Sequence, residues 1–123
     1  LSARAYKGKG LPSTSLILRG IKKMAEKDIE RLLVNGVKKL GGVAYKFVSP
    51  GNAGVPDRLI VMPGGRVYFV ELKTDAGYAT VLQKRQMDRL LRLGCDVNLV
   101  RGLDGIKNLL TRITAEQKEG DAV

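Results

Sequence analysis

The sequence predicts an α/β fold, a mixed β-sheet flanked by helices in the order α-β-β-β-α-β-α. Three observations predict it. Apolar residues pass from helical spacing to short strand-like runs and back again. Gly- and Pro-bearing segments mark each change. A tight-turn pair of strands stands between two helical stretches. The 123 residues, 44% of them hydrophobic, suit one globular domain with one modest core.

The first helix is read from about Met24 to Leu40, where Ile29, Leu32, Leu33, Val37 and Leu40 form one stripe. Gly41 and Gly42 end it, and Lys38 and Lys39 occupy its last turn, where the helix dipole favours cations. Val43 to Val48 reads as a strand, followed by the Pro- and Gly-rich loop Ser49 to Pro56. Arg58 to Met62 and Arg66 to Leu72 read as two strands around the turn Pro63-Gly64-Gly65. After the loop Thr74 to Tyr78, Thr80 is a candidate N-cap, with Gln83 at capping-box spacing. That second helix runs to Gly94. Asp96 to Val100 is a short strand, and Leu103 to Ile113 the last helix.

Three segments follow from this order: residues 1–25, 26–114 and 115–123. The first holds six basic side chains (Arg4, Lys7, Lys9, Arg19, Lys22, Lys23) and no acid. It reads as a basic, loosely ordered arm, with Leu16-Ile17-Leu18 as a short strand or a docking element, one candidate for exchange between two protomers. The second is the folded domain. The third reads as a polar tail.

Composition narrows the chemistry. A formal net charge of +10 points to a polyanionic partner, most often nucleic acid. The chain has no histidine, which removes His-based zinc sites, His general bases and Ser-His-Asp or Cys-His catalysis. With no histidine to activate it, the single cysteine, Cys95, reads as a packed thiol. One thiol cannot close an intramolecular disulfide, which fits a reducing compartment. The apolar runs are far shorter than the roughly 20 residues that span a bilayer, and no secretory segment is read. The expectation is a cytoplasmic protein with no membrane partner and no small-molecule cofactor. Its chemistry rests on carboxylates, lysine and a hard metal.

Asp57 follows Val55-Pro56, and Glu71-Leu72-Lys73 ends an apolar strand. Alternation puts Glu71 and Lys73 on one face. If the turn has three residues, Met62 pairs with Arg66 and Asp57 lies across from Glu71, Cβ atoms about 4.5–5.5 Å apart. A two-residue turn would send Asp57 to the other face. Facing carboxylates repel and call for a cation such as Mg²⁺, which polarises phosphodiesters and activates water. Lys73 would then orient that water or offset developing charge. The plain alternative is a surface Glu-Lys pair with Asp57 capping a turn. Glu-x-Lys alone occurs by chance in many chains. Its weight here comes from the Pro-Asp fourteen residues before Glu71, the hairpin between them and the basic charge.

A helix acid is the third candidate. Glu26 lies nearer the centre of the apolar stripe than Glu30, so Glu26 is preferred and Glu30 is the alternative. Gln83 either positions water and the metal shell or only closes the capping box with Thr80. Arg85, Arg89 and Arg92 form a second stripe, facing phosphates or bare solvent.

Ser49-Pro-Gly-Asn-Ala-Gly-Val-Pro-Asp57-Arg58, Pro63-Gly-Gly-Arg-Val-Tyr-Phe-Val-Glu71-Leu-Lys73, Leu82-Gln83-Lys84 and Leu93-Gly94 closely resemble the VRR-NUC family, the virus-type replication-repair nucleases of the PD-(D/E)XK superfamily. The resemblance runs from about Glu26 to Leu110 and does not include residues 1–25. It implies a restriction-endonuclease-like fold and a Mg²⁺- or Mn²⁺-dependent DNA endonuclease. Asp57, Glu71, Glu26 and the Leu72 backbone carbonyl would be metal ligands, Lys73 the catalytic lysine and Gln83 the helix glutamine. Arg58, Lys84, Arg85 and Arg89 are the candidate DNA contacts. Small stand-alone relatives suggest a homodimer cutting four-way (Holliday) junctions in DNA repair, in a bacterial or phage-infected cell. Competing readings are a less selective nickase, a restriction-type nuclease, or a catalytically silent DNA-binding module.

Overall fold

The structure, a computed structural model, describes residues 25–122. The basic arm and its Leu16-Ile17-Leu18 element lie outside the described residues. Seven elements follow in the expected order: α1 (Glu26–Lys39), β1 (Val43–Lys46), β2 (Arg58–Val61), β3 (Val67–Lys73), α2 (Val81–Arg92), β4 (Val97–Arg101) and α3 (Gly102–Ala122). The strands form one mixed sheet in the order β1-β2-β3-β4. β1, β2 and β3 pair antiparallel, and β4 joins β3 in parallel. The parallel pair needs a crossover, and α2 supplies it. No helix among the described residues is long and apolar enough to cross a membrane.

Alternation along β3 builds the core. Tyr68, Val70 and Leu72 are buried on one face of the sheet, with Ile60 of β2. There they join Ile29, Leu33 and Val37 of α1 and Ile106, Leu109 and Ile113 of α3 in one cluster. The α1 stripe repeats every four residues, so one narrow face is buried. Leu32, read as part of that stripe, stands at its edge and is exposed. Glu26 and Asp28 in the first turn and Lys38 and Lys39 in the last complement the helix dipole.

The hairpin has the three-residue turn. Met62 N–H donates to Arg66 O at 2.8 Å, and Gly65 N–H to Met62 O at 2.9 Å. The ladder pairs Arg58 with Val70 and Val61 with Val67, a register that continues to Asp57 and Glu71.

The reading departs from the structure at the C-terminal end. Residues 115–122, read as a polar tail, continue α3 without a break. The cause is a polar network that periodicity does not show. Arg112 bonds Asp96 with both of its terminal nitrogens at 2.9 Å, Asn98 at 2.6 Å and Glu116 at 3.0 Å. The Tyr68 hydroxyl also donates to Glu116. The bond from Arg112 holds the Asp96 carboxyl below its usual range. Gln117 reaches the Pro63 carbonyl at 3.1 Å. Polar side chains therefore tie this segment to the hairpin and to the start of β4.

Glu116→Ala should lower the unfolding free energy by about 1–3 kcal/mol, since it leaves the Tyr68 hydroxyl and Arg112 short of a partner. Urea unfolding of the variant checks this. An unchanged midpoint would return residues 115–122 to the status of a passive tail.

Candidate active site

Glu71 sits on the central strand with 1% of its surface exposed, the one buried charged residue among the described residues. Neither carboxylate oxygen accepts a hydrogen bond there. Lys73, two residues on and on the same face, brings Nζ to 3.2 Å from Oε2 as an ion pair. Burial first, and the nearby Asp57 carboxylate second, push the Glu71 carboxyl up from its ordinary 4.5 to about 7, against the pull of Lys73.

Asp57 stands just before β2, and both its backbone and its side chain are fixed. Its carbonyl accepts the Phe47 N–H at 2.8 Å. Its Oδ2 accepts the Leu72 N–H, also at 2.8 Å, from the amide that follows Glu71. The loop bearing Asp57 packs close to α2. Gly54 has φ +87°, and a Cβ there would come within 2.9 Å of the Leu82 side chain and 3.1 Å of its backbone. Gln86 of α2 donates to the Ala53 carbonyl at 3.2 Å. Glycine at 54 therefore lets α2 and the loop approach each other beside Asp57.

The two helix acids part ways. Glu30 is held by Arg58 at 2.7 Å. Glu26 is the helix acid whose charge acts on Glu71. Arg58 also donates to the Ala44 carbonyl at 3.2 Å. Arg58, read as a candidate DNA contact, is thus engaged with β1 and α1. It is one residue from Asp57, so alternation sends its side chain to the α1 face, where it cross-links helix and sheet.

Gln83 closes the capping box: its Oε1 accepts the Thr80 N–H at 2.9 Å, and Thr80 Oγ1 accepts the Gln83 N–H at 3.1 Å. Its amide NH₂ group and the second lone pair of Oε1 are left for other work. Lys84, Arg85 and Arg89 are exposed on α2. Arg85 and Arg89 line a shallow groove of about 550 Å³ with Asp88, Arg92 and Leu93.

Among the described residues, no three His, Cys, Asp or Glu side chains converge closely enough to hold a metal. Glu26 therefore does not close a compact three-carboxylate ligand set with Asp57 and Glu71. The pair Asp57 and Glu71 remains, beside Lys73. A cleft of about 400 Å³ lies at the other end of β3, lined by Arg66, Tyr68, Cys95, Asp96 and Glu116. Its carboxylates are already bonded to Arg112 and Tyr68, so its polar groups serve the fold.

Sequence reasoning missed the neighbour of Lys73 on β4. The parallel ladder places Arg101 beside it, and Arg101 carries Tyr78 on its guanidinium. Nothing local signals this, because a crossover separates the two strands.

Comparison with known proteins finds no matching family model. The chain is 48% identical over 79 residues to "Putative nuclease p44" of Acyrthosiphon pisum secondary endosymbiont phage 1, across 64% of this chain and 85% of that protein. It is similar to a solved structure described as "VRR_NUC domain", with a TM-score of 0.67 and 26% identity, over 70% of this chain and 94% of the other. A second, "VRR_NUC domain protein", shares the fold with a TM-score of 0.55 at 22% identity, over 72% and 86%.

The raised Glu71 carboxyl links stability to pH. Between 4.5 and about 7 the folded chain holds a proton there that the unfolded chain has lost. Stability from this group is thus complete below pH 4.5 and disappears as pH rises through 7. In EDTA, the wild-type melting temperature should fall over that window relative to Glu71→Gln. Parallel pH profiles for the two proteins would show that Glu71 ionises without strain.

Proposed function

Since the chain belongs to the VRR-NUC nuclease family, we propose that it is a divalent-metal-dependent DNA endonuclease working at Glu71, Asp57 and Lys73. One observation carries the reading. A carboxylate buried on a central strand has both oxygens without a hydrogen-bond partner, and a second carboxylate and a lysine stand beside it. Burying such a group with one ion pair, to Lys73, among the described residues is costly.

The donors fit a hard ion. Mg²⁺ and Mn²⁺ favour carboxylate and carbonyl oxygens, and the orphan oxygens of Glu71 are of that type. Glu71, Asp57 and the Leu72 carbonyl would hold the ion. Glu26 acts on the site through its charge rather than as a compact third ligand. When bound, the ion supplies Lewis-acid polarisation of a phosphodiester and makes water easier to deprotonate.

The chain's own groups supply the rest. The Leu72 amide aims the Asp57 carboxylate, so its position is set before substrate arrives. The Lys73 ammonium, 3.2 Å from Glu71, orients the attacking water and offsets charge building on phosphate oxygens. Lys84, Arg85 and Arg89 follow the DNA backbone along the exposed side of α2. Gln83 has its NH₂ group to offer the substrate. The basic charge and unpaired thiol suit work on nucleic acid in the cytoplasm.

The finer reading is a homodimer that cuts four-way junctions. Two symmetric cuts call for two sites related by a two-fold axis. Among the described residues β1 is an edge strand, with Val43 and Tyr45 exposed. Such an edge is suited to pairing with a second copy.

Lys73→Ala should lower cleavage at least about 100-fold with folding and DNA binding kept. Asp57→Asn or Glu71→Gln should abolish Mg²⁺ binding by calorimetry, and EDTA should stop cleavage by the wild type. Turnover near wild type in Lys73→Ala, or Mg²⁺ affinity kept in either carboxylate variant, would overturn this assignment.

Light scattering at micromolar concentration should show a dimer, and a panel of branched and linear DNAs should show four-way junctions cut ahead of linear duplex. A monomer that cuts linear duplex equally well would leave a less selective nuclease.

A further inference from the structure

Tyr78 is the most exposed large apolar side chain among the described residues, at 77%. The ring is nonetheless held in place. The Arg101 guanidinium carbon lies 5.0 Å from its centroid. Arg101 Nε in turn donates to the Gly77 carbonyl at 3.0 Å. One face of the ring is thus backed by a fixed cation, while the ring stays largely open to solvent.

Its place is what gives the ring meaning. Arg101 is the register partner of Lys73 in the parallel β3–β4 ladder. In-register residues of adjacent strands share a face, with the strands about 4.8 Å apart. The loop from Lys73 to Tyr78 is short and turned, with Gly77 N–H donating to Thr74 O at 3.0 Å. Val81 and Leu82, just beyond it, are also exposed. A flat aromatic surface is therefore carried by the residue that pairs with Lys73, on a chain whose net charge is +10.

Folding does not account for such a surface, since little of the ring is taken out of water. A nucleobase does. Bases stack on aromatic rings and on guanidinium planes, and every base offers a π-face. Within intact duplex both faces of a base are already covered. Only at a branch point, or in a single strand, is a face free.

We propose that Tyr78, backed by Arg101, is a stacking step for an unstacked nucleobase beside the reactive phosphate, so that the site selects DNA opened at the point of cutting. This rests on the nuclease reading of the same site and adds its substrate class. The step is distinct from the backbone contacts of Lys84, Arg85 and Arg89, which do not distinguish paired from unpaired DNA.

The chain contains no tryptophan, so Tyr78→Trp introduces a unique fluorophore. The variant is titrated in EDTA with single-stranded oligothymidine, a four-way junction, and a relaxed covalently closed duplex circle, which has neither ends nor unpaired loops. The introduced indole should be quenched by the first two and not by the circle. Tyr78→Ala should weaken single-strand and junction binding about tenfold, with binding to the circle and melting temperature unchanged, and Tyr78→Phe should restore it. Emission unaffected at saturating oligothymidine would overturn the proposal. So would an equal loss for all three DNAs in Tyr78→Ala, which would make the ring a general structural contact. Adding Mg²⁺ to the wild type separates the two readings. Quenching in the variant with no wild-type cleavage of any DNA would keep the stacking step and remove the nuclease. Cleavage without quenching would do the reverse.

Discussion

The Glu71 carboxylate occupies a position that a β-sheet rarely gives to an acid. It lies on the central strand, 1% exposed, with no hydrogen bond to either oxygen. Burial and the Asp57 charge resist its ionisation, and Lys73 favours it. Much of the surrounding structure holds these three groups in place. The hairpin sets the register that brings Asp57 across from Glu71. The Leu72 amide orients the Asp57 carboxylate. Gly54 lets α2 close against the loop that bears Asp57. The charged group thus sits among supports that are rigid backbone rather than flexible side chains. That is the condition for placing reacting atoms accurately.

The pleat of the sheet then divides the labour. Tyr68, Val70 and Leu72 face α1 and α3 and make the core. Glu71 and Lys73 alternate with them and face the other way. The same alternation separates Asp57 from Arg58. The aspartate goes to the reactive face, and the arginine crosses to α1, where it binds Glu30. A single-residue slip of β2 would exchange the two groups, placing a cation opposite Glu71 and an acid against α1. Register is therefore a chemical constraint here as well as a packing one.

At the other end of β3, polar groups take a structural role. Asp96, Asn98, Arg112, Glu116 and Tyr68 satisfy one another. The contrast with Glu71 is informative. Acids at one end of the strand are fully bonded, and the acid at the other end is not. The same fold thus has a closed polar network that anchors α3 and an open one that can take a ligand.

The sequence by itself determined the element order, the α1 stripe and the Thr80 cap, and it left the pairing of Asp57 with Glu71 to the length of one turn. Each is a local or short-range property. Periodicity is set by neighbours three or four residues apart, and the register follows from three turn residues. The likeness in Pro56-Asp57, Glu71-Leu-Lys73 and Leu82-Gln-Lys84 carried the family. Only the tertiary structure decided which helix acid is taken by Arg58, where residues 115–122 go, and that Arg101, which carries Tyr78, pairs with Lys73. Those outcomes depend on contacts between groups far apart in the chain, such as Glu30 with Arg58, Tyr68 with Glu116 and Lys73 with Arg101. No spacing in the sequence encodes them, because the parallel ladder and the packing of helices on the sheet exist only once the chain has folded.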